Sequence, residues 1–264
     1  MKLAIGVSYC GAGLEGWQSQ PSGNTVQDCL ERALSAIAGE RIALTAAGRT
    51  DAGVHASAQV AHFETNTGRP ESAWVRGANA HLPDGIAVQW AVPVPGDFHA
   101  RYSAVSRTYR YVLYNHAVRP ALLAGRVGWF HMPLDLEKMR EAAGYLVGEH
   151  DFSSFRSAEC QAKTPVRVMK DLALRASGAY IILDFSANAF LHHMVRNIVG
   201  CLVYVGKGKY PPAWMAELIA ARDRRRAAPT FSPDGLYLCE VRYEERWSLP
   251  GFAAMMPFEP ESRS

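Results

Sequence analysis

"IALTAAGRTDAGVHASAQVAHFET", residues 42–65, holds two apolar runs on either side of a short polar loop. The runs "IALTAAG" and "AQVAHFET" read as two strands. Between them Gly48 and Gly53 permit backbone angles that other residues resist, and they bracket Arg49, Thr50 and Asp51. This arrangement puts one carboxylate, Asp51, at the open end of a sheet. Arg49 stands two residues before it, and a nearby cation favours the ionised form. Spacing alone favours a turn capped by aspartate.

Working outward, "LAIGVSY" (3–9) reads as a buried strand, and residues 25–38 as a helix. Val26, Leu30, Ala33, Leu34 and Ile37 recur at helical spacing, Thr25 can cap the start and Gly39 ends it. "PESAWVRGANAHL" opens as a second helix at Pro70 and Glu71, and "IAVQWAVPV" as a further strand. The order is β-α-β-β-α-β. The second half is expected to repeat it. "RTYRYVLYN" (107–115) is a strand, "LDLEKMREAAGYLVG" (134–148) a helix, and "VRVMKDLALRA" and "YIILDFSAN" a hairpin turned at Ser177-Gly178. "FLHHMVRNIVGCLVYVG" and "PPAWMAELIAARD" follow as helices, and "GLYLCEVRY" as the last strand. The predicted fold class is α/β (α+β), with two fused ferredoxin-like halves whose sheets are antiparallel and carry helices on one face. The expected division is 1–100, 101–250 and a tail over 251–264.

Composition excludes several classes. Of 264 residues, 48% are hydrophobic and 20% charged, which is ordinary for a globular chain. A net charge of +3 permits an anionic partner without demanding one. The five cysteines are odd in number and form no C-x-x-C, so neither a disulfide framework nor a zinc site is expected, and a reducing cytoplasm fits. "MKLAIGVSYC" lacks the apolar run and cleavage site of a signal peptide, and no window of 18 apolar residues could span a membrane. "GAGLEG" (11–16) fits G-x-G-x-x-G, but Pro21 and Gly23 delay the helix to Thr25, so it reads as a glycine-rich surface loop. His192 and His193 are adjacent and diverge on a helix, so they cannot form an i, i+4 metal pair.

"GRTDAGVHA" (48–56) resembles the nucleophile motif of pseudouridine synthases. With "GWQSQP", "TVQDCLERAL", "FHARYSAVSRTYRYVLYN", "DFSSFR", "NAFLHHMVRNIVG" and "GLYL", the chain resembles the tRNA pseudouridine synthase A family over most of its length. One departure is Cys10, in Tyr9-Cys10-Gly11, where the family commonly has aspartate. The resemblance implies that Asp51 is the catalytic aspartate and that Tyr109 packs against the target uracil. It implies that Arg196 pairs with the aspartate and that Arg49 lies at the RNA interface near the active site. It further implies isomerisation of uridine at positions 38, 39 and 40 of the tRNA anticodon stem-loop, in a cleft between the two halves of a homodimeric cytoplasmic enzyme.

The chemistry suits these residue types. Uridine becomes pseudouridine by breaking N1–C1′, turning the uracil and joining C5 to C1′. Atoms and electrons balance without a cofactor or metal, and none is expected. A carboxylate can attack C1′ or act as a base at the sugar. Arg101, Arg107 and Arg110 near Tyr102, Tyr109 and Tyr111, and "RDRRR" (222–226), offer RNA-binding chemistry, although the latter equally suits a solvated helix end. Three other readings compete: an RNA-binding module without catalysis, a nicotinamide-dependent oxidoreductase through "GAGLEG", and a glycosidase using Asp51.

Overall fold

An apolar run such as β1 (Lys2–Tyr9) needs partners on both edges and cover on both faces, and it is buried along nearly its whole length. In the computed structural model, which describes residues 1–252, α1 (Val26–Ala38), β2 (Thr45–Ala46), β3 (His55–Glu64), α2 (Glu71–His81) and β4 (Ile86–Pro93) follow it. This is the predicted β-α-β-β-α-β order. β1 pairs antiparallel with β3 and β4, and β2 pairs antiparallel with β3. Helix α1 starts and stops where its sequence directs. The Thr25 side chain accepts from the Asp28 N–H, and Gly39 ends the helix at φ 71°. Ile37 of α1 packs over Gly77 of α2, where an added Cβ would come within 2.6 Å of the Ile37 side chain.

The chain divides into two units: Met1–Val105 with the residues from Tyr237 onward, and Ser106–Leu236. The second unit is built from most of β5 (Ala104–Asn115), then β6 (Gly128–Phe130), α3 (Leu136–Gly144), β7 (Gly148–Asp151), β8 (Val166–Ser177), β9 (Tyr180–Ala187), α4 (Met194–Gly206) and α5 (Trp214–Ala221). Its strands run in the order β5-β9-β8-β7, each pair antiparallel, with β6 parallel to β5. The β8–β9 hairpin turns at Gly178, φ 57°, as its sequence predicts.

Three expectations are corrected. Helix α3 is shorter than 134–148, because Asp135 caps its start and it ends at Gly144. Helix α4 begins at Met194 rather than Phe190. His193 takes φ 62°, which breaks a run of helical hydrogen bonds, so His192 and His193 lie outside the helix. The last strand, β10 (Leu236–Tyr243), was expected to close the half spanning 101–250. Nearly all of it instead belongs to the first unit, where Tyr237 and Leu238 pair with His55 and Ala56 of β3 in parallel. The cause is apolar matching. Val241, Tyr243 and Trp247 pack with Phe98, Trp90 and Val60 in the first unit's core, and the Tyr243 hydroxyl donates to the Ala100 carbonyl at 2.6 Å. The predicted tail lies outside the described residues except for Gly251 and Phe252. Among the described residues no helix is long and apolar enough to cross a membrane.

His62 ties β3 to the segment at 98–100. Its Nδ1 accepts from the Ala100 N–H at 3.2 Å, and its ring meets Phe98 edge-on. Burial, reinforced by the charges of His99 and Lys2, holds its pKa down to about 4. An unfolded histidine titrates near 6.5, so between pH 6.5 and 4 the unfolded chain takes up a proton that the folded chain refuses. Stability is therefore complete above pH 6.5 and falls as pH drops through this window, by roughly 3 kcal/mol in full. Urea unfolding at pH 7.5 and pH 5 is expected to show a lower midpoint at pH 5, and His62→Asn is expected to flatten that difference.

Candidate active site

Asp51 sits in the loop between β2 and β3, half-buried, and the loop's own main chain closes the turn: the Val54 N–H donates to the Asp51 carbonyl at 3.1 Å. A second loop, residues 10–17, lies directly against it. The Trp17 N–H donates to the Thr50 carbonyl at 3.0 Å and the Gly53 N–H to the Leu14 carbonyl at 3.4 Å. The two backbones touch because two positions lack side chains. A Cβ on Gly11 would fall 2.1 Å from the Val54 oxygen, and one on Gly16 would fall 2.7 Å from the Thr50 oxygen and 2.9 Å from the Asp51 carbonyl carbon. Gly16 also holds φ +89°, where L side chains are strained.

Polar side chains fix the same loop from below. The Tyr9 hydroxyl and Thr50 Oγ1 are 2.8 Å apart, and Gln59 Nε2 donates to the Gly48 carbonyl at 2.6 Å. Burial pushes the Tyr9 phenol up to about 12, against the opposing hydrogen bonds from Thr50 and Gln59, so it stays neutral and available as a bonding partner. His55 is buried. Its Nδ1 accepts from the Gly11 N–H at 3.1 Å, which places the ring proton on Nε2, and its ring stacks on Tyr237 at 4.5 Å. His55 thus joins the glycine loop to the strand leaving Asp51. The sequence reading of "GAGLEG" as a surface loop holds for Ala12–Glu15, but Gly11 and Gly16 are buried structural contacts. Cys10 takes part through its main chain, donating to the Gly85 carbonyl at 2.8 Å.

Arg49 shares the Asp51 loop and is exposed. Tyr109 and Arg196 belong to the second unit. Tyr109 is buried on β5 opposite Phe185, and its ring meets Phe190 edge-on at 5.0 Å. Arg196 stands in the first turn of α4, where a helix end disfavours positive charge. Position 231 clasps it: Arg196 Nε donates to the Phe231 carbonyl at 2.9 Å, and the Phe231 N–H donates back to the Arg196 carbonyl at 3.2 Å. That segment runs against α4 at Gly200, where a Cβ would fall 2.3 Å from the Pro229 oxygen. Helix α4 is otherwise buried on nearly every side, and of its residues only Arg196 and Tyr204 are half-exposed.

Most arginines singled out from the sequence are committed within the protein. Arg110 pairs with Asp184 at 2.6 Å, and Arg175 pairs with the same carboxylate. Arg107 is buried and donates to the Asn188 carbonyl. In 222–226, Arg222 pairs with Asp151, Arg225 with Asp223, and Arg224 donates to Asn197 and Thr230. Tyr111 is buried and donates to the Ser232 carbonyl. Of the Arg101–Tyr111 group, Arg101 and Tyr102 are exposed, the guanidinium 5.8 Å from the tyrosine ring centre.

The profile of the family described as tRNA pseudouridine synthase matches residues 6–103 and 142–244, and the chain belongs to that family. Within it, the chain is similar to proteins named tRNA pseudouridine synthase A. It is 60% identical over 251 residues to that of Aromatoleum aromaticum and 58% over 250 residues to that of Dechloromonas aromatica, each alignment covering 95% of both chains. It is 56% identical over 258 residues to that of Thiobacillus denitrificans, covering 98% of this chain and 99% of the relative.

The brace makes a test. Gly16→Ala is expected to raise amide hydrogen exchange at Gly53 and Val54 at least tenfold, because the added methyl pushes the loops apart. Gly13→Ala carries a similar backbone cost at φ +79° but meets no atom within 4 Å, and is expected to leave those two amides unchanged.

Proposed function

We propose that this chain isomerises uridine to pseudouridine at positions 38, 39 and 40 of the tRNA anticodon stem-loop, with Asp51 as the reacting carboxylate. The observation that carries this reading is the Asp51 loop itself: a half-buried aspartate on a clamped, glycine-bracketed turn, in a member of the tRNA pseudouridine synthase family. The target nucleotide leaves its stack to be reached. Asp51 then acts at the sugar, as nucleophile on C1′ or as base. Either route needs an ionised carboxylate held still, and positioning of this kind is worth orders of magnitude in rate. Tyr109 packs against the uracil while it turns, Arg196 supplies the positive charge that the carboxylate needs, and Arg49 contacts RNA. The reaction takes no cofactor. The same reading makes the chain a cytoplasmic homodimer that holds one tRNA across two copies.

Incubation with an unmodified tRNA transcript, followed by carbodiimide mapping, is expected to give stops at 38–40 alone, and a transcript without stops overturns the assignment. Asp51→Asn is expected to lower the rate by about a thousandfold or more while leaving tRNA affinity within about threefold. Tyr109→Phe, which keeps the ring, is expected to stay near the parent rate. Tyr109→Ala loses the stacking contribution, about 1–3 kcal/mol, or roughly five- to 150-fold in kcat/KM.

A further inference from the structure

The turn after α4, "GKGKY" (206–210), gathers charge that no carboxylate among the described residues pairs with. The chain has six lysines, and two of them stand here, one residue apart. Lys207 ends the helix, its N–H donating to the Val203 carbonyl at 3.0 Å. Gly208 reverses the chain at φ +78°, and the Lys209 N–H then donates to the Tyr204 carbonyl at 3.0 Å. The reversal brings both side chains onto one ring. Lys207 Nζ lies 4.1 Å and Lys209 Nζ 4.5 Å from the centre of Tyr204. Further aromatics border the pair: Phe130 lies 5.9 Å from Lys207 Nζ, and Tyr210 lies 5.4 Å from Lys209 Nζ and stacks on Trp214 at 4.0 Å.

Two ammonium groups sharing one ring repel each other. The ring face and the negative end of α4 offset part of that repulsion. Among the described residues neither Nζ has a carboxylate partner, unlike the neighbouring Lys138, which pairs with Asp135. Lys209 is exposed and Lys207 half-buried, so an anion can approach both. Lysine binds phosphate as a point charge, and lysine interleaved with aromatic rings suits RNA. We infer that Lys207 and Lys209 form a phosphate-contact site for the tRNA backbone, separate from the residues assigned to the reaction. The inference rests on the reading of tRNA as substrate.

Salt dependence tests it. Affinity for an unmodified tRNA transcript is measured between 50 and 200 mM salt for the parent chain, for Lys207→Gln/Lys209→Gln, and for Lys207→Arg/Lys209→Arg. Each phosphate contact adds about 0.7–0.9 to the slope of log affinity against log salt. The glutamine variant is expected to lose about 1.4–1.8 of that slope, with KM raised and kcat at saturating tRNA unchanged. The arginine variant is expected to keep the parent slope. A glutamine variant with the parent's slope and affinity overturns the inference while the parent still makes pseudouridine. A parent that neither binds nor modifies tRNA overturns the function on which the inference rests.

Discussion

The site depends on a close approach between two loops that no side chain can be allowed to interrupt. Backbone atoms of residues 10–17 press directly on those of 50–54, and glycine at 11 and 16 makes this contact possible. Three side chains of the first unit hold it in place. β1 delivers Tyr9 to Thr50, β3 delivers His55 to Gly11, and Gln59 anchors Gly48. The carboxylate of Asp51 is thus carried by main chain that is bonded on several sides. A side chain held this way costs little further free energy to order.

Much of the first unit was legible in the sequence because local chemistry and packing agree there. Helix α1 begins at the Thr25 cap and ends at Gly39, and its apolar stripe is the buried one, with Ile37 half-buried over α2. What periodicity could not supply was partnership. "GLYLCEVRY" plainly reads as a strand, but nothing in its own residues says whether it lies with 101–250 or returns to β3. That is decided by the fit of Val241, Tyr243 and Trp247 to a core assembled from the other end of the chain. The start of α4 failed for a different reason. Apolar spacing from Leu191 is helical, but His193 takes a left-handed backbone, uncommon for any residue but glycine, and the apolar pattern does not show it.

The candidate site shows the same split. Asp51 stands out through its motif, yet the brace was hidden in "GAGLEG", where the glycine spacing suggested a cofactor loop or a plain surface turn. The glycines are there for contact with another loop, which a linear reading cannot see. The arginines teach the converse. Arg107, Arg110, Arg222, Arg224 and Arg225 looked available in sequence but are tied to Asn188, Asp184, Asp151, Asn197 and Asp223. The lysines at 207 and 209, unpaired among the described residues, carried no motif at all.

The double use of β3 has a consequence for how the protein is made. β3 pairs with β2 at Ala61 and His62 and with β10 at His55 and Ala56, and the two partners lie at opposite ends of the sequence. As the chain leaves the ribosome, residues 1–105 emerge with the His55 end of β3 still an open edge beside Asp51. Its partner emerges only after another 131 residues, Ser106–Leu236, a wait on the order of ten seconds at ordinary translation speed. The loop carrying Asp51 therefore stands beside an unpaired strand end until Tyr237 and Leu238 are made, and a truncated nascent chain carries the aspartate on an unfinished scaffold.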